Sequence, residues 1–167
     1  FNPSSIAIIG VSHDSKKVGY LVAKNLLDQG YQGEVYFVNK NAKEEILGKK
    51  VYASLKDIQN NIDLAVLAIP AQPSLAALDE IHDLGIKNIV IFAAGFKETE
   101  GDMDNEKVLL QKAKDFEMSI LGPNCIGFIN TSKGINTTFL KQISPKGKIG
   151  FISQSGALGS VLVDYLA

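Results

Sequence analysis

Five short runs of nearly unbroken apolar residues constrain this chain more than any other feature: 5–9, 34–38, 64–69, 88–92 and 118–121. They are four to six residues long, rich in Val and Ile, and nearly continuous rather than alternating with polar positions. A strand with one face in water alternates, whereas a continuous run belongs to a strand covered on both faces, as in a parallel sheet. Between the runs the apolar spacing turns helical: Val18, Leu21, Val22 and Leu26, then Leu75, Leu78 and Ile81, then Leu109, Ala113 and Phe116. Gly30 and Gly85 stand where two of these helices need a left-handed terminating residue, and Ser54 with Asp57 resembles a capping box for a short helix after the second run.

Strands alternating with helices predict an α/β fold, a doubly wound parallel sheet with helices on both faces, over residues 1–130. In such sheets ligands sit at the carboxyl ends of the strands, where strand order reverses, so the turns after the strands are where chemistry is expected. Beyond Asn130 the pattern changes. Residues 131–147 read as a polar linker, 148–152 as a sixth strand, and 157–167 as an apolar helix, together the start of a second domain in a longer polypeptide.

The composition excludes several classes. With 46% hydrophobic and 21% charged residues among 167, the chain can bury a core and is not disordered. All 17 cationic residues are Lys, and 18 acidic ones bring the net charge to -1, so no general basic field exists for nucleic acid. A bound anion must be gripped locally. One cysteine, Cys125, fits a reducing compartment, and no apolar stretch approaches the ~20 residues of a membrane span, so a cytoplasmic protein is expected. The chain starts at Phe1 without Met or a signal-like segment, which suggests trimming.

The turns carry the candidate chemistry. The first strand runs into Gly10-Val11-Ser12 and on through Lys16, Lys17 and Gly19 into a helix, whose free backbone N–H groups suit a phosphate; the loop is not a GxGxxG. After the second strand, Val38-Asn39-Lys40 has no carboxylate where an NAD site needs one, and Lys40 offers a point charge to a phosphorylated ribose, as in CoA or NADP. Ile69-Pro70-Ala71-Gln72-Pro73 leaves carbonyl acceptors beside small side chains, which suits a purine edge, and Ala93-Ala94-Gly95-Phe96 leaves room for a bulky ligand. Each of these also reads as a plain turn. Ser153-Gln154-Ser155-Gly156 opens the last helix, where hydroxyls and N–H groups suit an anion or simply cap the helix.

With Gly122-Pro123-Asn124-Cys125-Ile126-Gly127 after the fifth strand, "FNPSSIAIIG", "VYFVNK", "AAGFKE" and "GKIGFISQSGALGS" complete a set in order. The whole chain resembles the amino-terminal CoA-binding region of NDP-forming acyl-CoA synthetases, the family of ADP-forming acetyl-CoA synthetase, related to the succinyl-CoA synthetase α subunit. The resemblance implies a Rossmann-like CoA-binding domain followed by the first β-α unit of a flavodoxin-like domain. It also implies a ligase in which acid, CoA and ATP interconvert with acyl-CoA, ADP and phosphate through an acyl phosphate and a phosphohistidine. By position, Gly10, Ser12, Lys17 and Gly19 would face the CoA phosphates, Val38 and Lys40 the phosphoribosyl end, and Pro70 and Ala71 the adenine. Ala93, Ala94, Asn124 and Cys125 would lie near the pantetheine arm, and Ser153, Gln154, Ser155 and Gly156 at a phosphate. Mg-ATP or ADP would bind a separate ATP-grasp domain or subunit, and the full-length protein would be an oligomer.

The family's phosphorylated histidine has no counterpart among these residues. His13 lies in the first loop, and His82, beside Asp79, Glu80 and Asp83, reads as solvated helix surface. No catalytic residue and no metal site is expected within this stretch. The acidic series Glu98, Glu100, Asp102, Asp104 and Glu106 reads as surface around a helix start, and Cys125 as a small apolar residue near the cofactor. Two rival readings stay open: a non-catalytic CoA-binding regulatory module, including the synthetase-like part of a protein acetyltransferase, and an NADP-dependent oxidoreductase domain.

Overall fold

The computed structural model describes residues 1–41, 45–96, 103–141 and 144–167. Its centre is a sheet of six parallel strands: β1 (Ser5–Ile9), β2 (Glu34–Val38), β3 (Val51–Tyr52), β4 (Leu64–Leu67), β5 (Asn88–Ile91) and β6 (Ser119–Leu121), in the order β3-β2-β1-β4-β5-β6. β1 pairs in parallel with both β2 and β4, so strand order reverses there. The doubly wound expectation holds. The continuous apolar runs have the predicted cause, since all four residues of β4 are buried and successive side chains enter opposite layers.

Helices α1 (Val18–Asp28), α2 (Ala71–Asp83) and α3 (Met103–Asp115) follow β1, β4 and β5. α1 buries Val22, Ala23 and Leu26 against Ile6, Ile8 and Phe37 on one face, while α2 buries Leu75, Leu78 and Ile81 with Leu67, Ile89 and Ile91 on the other. Gly30 and Gly85 adopt the left-handed conformation that ends α1 and α2. Ser54 and Asp57 form the expected capping box, on a single 3-10 turn at Leu55–Asp57.

Three expectations need correction. The parallel sheet has one more strand than the five runs supplied: β3, at Val51–Tyr52, is a two-residue edge strand alongside Phe37 and Val38. The segment after Asn130 is not simply a polar linker. An antiparallel hairpin, β7 (Ile129–Asn130) and β8 (Ile135–Asn136), returns the chain to α1, and Ile135, Asn136, Thr137 and Thr138 are among the most buried residues. Asn25, nearly buried in α1, donates from Nδ2 to the carbonyls of Thr138 and Leu140, both at 2.8 Å, and Asn136 Oδ1 accepts from the Thr138 N–H and hydroxyl. The polar side chains at 136–138 are thus paired internally: Asn136 and Thr138 bond to each other and to the main chain of Leu140, and the Thr137 hydroxyl accepts from Phe128 N–H and donates to Phe128 O.

Residues 148–152, expected as a strand, form none. A strand needs a hydrogen-bonding neighbour, no described strand lies beside this segment, and Ile149 and Ile152 are 96% and 98% exposed. The final helix does form, as α4 (Gly156–Leu166). Among the described residues, no helix is long and apolar enough to cross a membrane.

The tail clamp gives a direct prediction. Asn25→Leu leaves the buried Thr138 carbonyl without its donor and should lower stability by about 1–3 kcal/mol in urea unfolding; an unchanged midpoint contradicts the clamp.

Candidate functional site

The carboxyl ends of the strands are tied to one another by main-chain hydrogen bonds, which brings the turns that follow them into one rim. Gly10 N donates to Val38 O (2.8 Å), Ala68 N to Ile9 O (2.9 Å), Phe92 N to Leu67 O (3.2 Å) and Asn124 N to Ala93 O (2.9 Å). The turns after β1, β2, β4, β5 and β6 therefore share an edge, and Gly10, Ser12, Lys17, Gly19, Lys40, Pro70, Ala71, Ala93, Ala94, Asn124 and Cys125 stand along it.

The first turn is built for close approach. Gly10 has φ +99°, and a Cβ there would fall 2.5 Å from Ala68 O; a Cβ at Gly19 would fall 2.4 Å from Gly10 O. Backbone therefore lies on backbone where α1 begins. Lys17 is the extended N-cap residue and provides no side-chain cap. Leu21 N is the first amide to find an intrahelical acceptor, Lys17 O at 3.1 Å, so the first-turn N–H groups remain for an outside acceptor. Ser12 Oγ accepts from Asp14 N at 3.2 Å, and Lys16 N donates to Asp14 Oδ1 at 2.9 Å, which closes the loop on itself.

Along β2's end, Lys40 is exposed, while the Val38 side chain lies in the core and its carbonyl is bonded to Gly10, so Val38 shapes the rim through its main chain. Asn39, between them, was missed as a site residue: its Nδ2 donates to Val11 O at 2.7 Å and its N–H to Tyr52 O at 2.9 Å, fastening the first turn to β2 and β3. Its position directly after a strand was the available signal. The expectation of free carbonyls around Pro70 is corrected too. Pro70 is the N-cap of α2, and the Ser74 hydroxyl donates toward both Ile69 O (3.1 Å) and Pro70 O (2.9 Å). Asn105 of α3, ten residues from the nearest rim turn, holds Gly95 O at 2.9 Å and accepts from Gln72 Nε2 at 2.6 Å; no sequence signal marked it.

The turn at 122–127 lies at the far end. Gly122 has φ +106°, with a notional Cβ 2.4 Å from Ile91 O. Cys125 is half-buried; its Sγ faces Ile91 O at 3.4 Å and Leu121 O at 3.6 Å, and burial pushes its thiol pKa up. That is the condition of an inert thiol. Ser155 caps α4 by accepting from Leu158 N (3.2 Å), and Ser153 Oγ accepts from Ser155 N (3.0 Å), so the capping reading of this turn is realised.

His82 is not on a solvated face. Its ring stacks on Phe116 at 4.1 Å, Asp79 pairs with Lys112 of α3, and Glu80 accepts from the Ser54 hydroxyl, because this side of α2 packs against α3 and the 3-10 turn. Asp104 and Glu106 occupy the first turn of α3; Glu98, Glu100 and Asp102 lie outside the described residues. Two concavities, of about 550 and 770 Å³, open at the opposite, amino-terminal edge near Asp63 and Asn88 and near Gly30 and Glu34.

A family model described as a CoA binding domain matches residues 4–131. The chain belongs to the CoA-binding domain family. It is 46% identical, over 98% of its length, to the α subunit of acetate–CoA ligase (ADP-forming) II of Pyrococcus furiosus, of which it covers 35%. Identity to the acetate–CoA ligase (ADP-forming) of Methanocaldococcus jannaschii is 41% over 97% of the chain and 22% of that protein. Among solved structures, the dinucleotide-forming acetyl-coenzyme A synthetase 1 of Ca. Korarchaeum cryptofilum, in complex with phosphate and ADP, superposes with a TM-score of 0.90 at 38% identity, over 99% of this chain and 35% of that one. The CoA-binding domain spans well under half of each relative, and it is homologous to the amino-terminal part of ADP-forming acyl-CoA synthetases, which are acid–CoA ligases.

The donor set at the rim fits CoA. Uncapped first-turn N–H groups suit a pyrophosphate, and Lys40 on the next turn suits a ribose phosphate.

Two outcomes follow from this geometry. Gly19→Ala should lower stability by about 1–3 kcal/mol in thermal or urea unfolding, even though alanine favours a helix by about 1 kcal/mol, because its methyl meets the Gly10 carbonyl. Cys125 should react with iodoacetamide only at a pH above that of an ordinary thiol in the unfolded chain; an acid-shifted reaction would contradict its buried setting.

Proposed function

We propose that CoA lies across the carboxyl rim and that this domain is the CoA-binding portion of an NDP-forming acyl-CoA synthetase. The observation that carries the reading is the uncapped amino end of α1, packed through Gly19 onto Gly10, with Lys40 on the neighbouring turn. Bound there, CoA supplies the thiol that accepts an acyl group. The first-turn N–H groups of α1, with Gly10, Ser12, Lys17 and Gly19, hold its phosphates through local dipoles. Lys40 pairs with the phosphorylated ribose, on a turn shaped by Val38 and fixed by Asn39. Pro70 and Ala71 lie against the adenine; Ala93 and Ala94 leave room for the pantetheine arm, which ends beside Asn124 and Cys125.

Ser153, Gln154, Ser155 and Gly156 receive phosphate at the amino end of α4: the N–H groups of its first turn and the hydroxyl proton of Ser155 face the anion while the Ser155 oxygen caps the helix. The full-length protein then makes acyl-CoA, ADP and phosphate from acid, CoA and ATP through an acyl phosphate and a phosphohistidine that lies beyond these 167 residues. Mg-ATP belongs to an ATP-grasp partner domain or subunit. The complete protein is an oligomeric enzyme of the cytoplasm. The domain by itself binds CoA without turnover.

Calorimetry with CoA, dephospho-CoA, NADPH and NAD tests this reading. CoA should bind best and dephospho-CoA more weakly; a preference for NADPH would favour an oxidoreductase. Lys40→Ala should weaken CoA by about tenfold, the ~1–2 kcal/mol of one charge-assisted contact, and leave dephospho-CoA nearly unchanged. Equal losses for both ligands would remove Lys40 from the phosphate.

A further inference from the structure

The turn after β6 and the amino end of α4 meet at one side chain. α4 has a single buried residue, Gly159. A Cβ there would stand 3.2 Å from Ile126 Cδ1, and a Cβ at Gly156 would stand 3.1 Å from Ile126 Cγ2. Ile126 is half-buried and directly follows Asn124 and Cys125. Its branched side chain thus occupies the notch that two glycines one turn apart leave in the helix. The rest of this region is loosely covered: Leu158 and Val161 of α4 are 56% and 65% exposed, and the segment leading into the helix is open. Glycine in an ordinary helical conformation costs about 1 kcal/mol relative to alanine, and at Gly159 the space it leaves is taken by Ile126. The structural match to the Ca. Korarchaeum cryptofilum synthetase takes in α4, since it extends over 99% of the chain.

We propose that Ile126 is a positioning residue: seated between Gly156 and Gly159, it sets the distance between the turn that carries Asn124 and Cys125 and the amino end of α4. The inference rests on the proposed function, in which the first of these meets the thiol end of CoA and the second receives phosphate. The thioester forms when the CoA sulfur, giving up its proton, bonds to the carbonyl carbon of the acyl phosphate and the carbon–oxygen bond to phosphate breaks, phosphate leaving with the bond's electrons at the amino end of α4. The two ends must meet for this, and a misplacement of ~1 Å at such a centre costs on the order of a hundredfold in rate. Ile126 and Gly159 act through spacing. The phosphates and adenine of CoA are held elsewhere on the rim, so the effect falls on kcat and not on CoA affinity.

The test uses the full-length protein, with kcat for acyl-CoA formation from acetate, ATP and CoA, the Kd for CoA by calorimetry, and the melting temperature. Gly159→Ala narrows the notch and should lower kcat by about tenfold or more with an unchanged Kd for CoA. Adding Ile126→Val removes the Cδ1 atom that the new methyl meets, and the double variant should recover most of the lost rate. Ile126→Ala, which opens the contact instead of crowding it, should lower kcat as well, and it decides the matter if Gly159→Ala does not fold. Wild-type kcat in Ile126→Ala overturns the proposal, as does a loss in Gly159→Ala that falls equally on CoA affinity and persists in the double variant. Failure of the wild-type protein to bind CoA overturns the functional reading and this inference with it; the two failures are therefore told apart before any variant is made.

Discussion

The parallel pairing of β1 with both β2 and β4 is the constraint on which the rest depends. Because β1 lies where strand order reverses, its following turn has no crossover helix directly above it on both sides, and α1 can start there with its amide groups facing outward. The register carries this pairing to the rim: Ile9 stands beside Val38 and Leu67, so the hydrogen bonds from Gly10 to Val38 and from Ala68 to Ile9 continue the ladders past the last strand residues. A chain without those continuations would have the same sheet and scattered turns. With them, residues from five separate turns share one edge.

Local polar groups then stiffen this edge rather than decorate it. Asn39 fastens the first turn to β2, Ser74 caps the carbonyls around Pro70, and Asn105 reaches from α3 to Gly95. A preorganised rim loses little conformational freedom when a flexible ligand is laid on it, which matters for a molecule as long as CoA. The net charge of -1 makes the same point from the other direction. With no broad positive field, an anion at this edge would have to be held by helix dipoles and lysines within contact distance.

What the sequence made legible, and what it hid, divide along physical lines. Strands buried on both faces announce themselves, and β1, β2, β4 and β5 were readable because apolar side chains, from Ile and Val to Leu, Phe and Tyr, fill both faces at once. The edge strand β3 was not, since two residues make no pattern and its pairing is decided by Phe37 and Val38 of its neighbour. Residues 131–140 read as polar because Asn136, Thr137 and Thr138 are polar; what turns them inward is Asn25, more than a hundred residues away, whose amide satisfies their backbone. The apolar stretch 148–152 misled for the opposite reason: composition favours a strand, yet a strand without a neighbour has nothing to pair with. Along the rim, the positions of glycines and lysines directly after strands were visible, whereas Asn105 reaches in from another element and His82 takes its setting from Phe116 across a helix interface.

The most direct measurement is hydrogen–deuterium exchange of the domain with and without CoA. CoA seated on the carboxyl rim should slow exchange at the turns after β1, β2, β4, β5 and β6, most strongly in the first turn of α1, and leave the opposite edge around Asp63, Asn88 and Ser119 unchanged. Slowing centred on that opposite edge, where the 550 Å³ concavity lies, or no slowing at the start of α1, would contradict it.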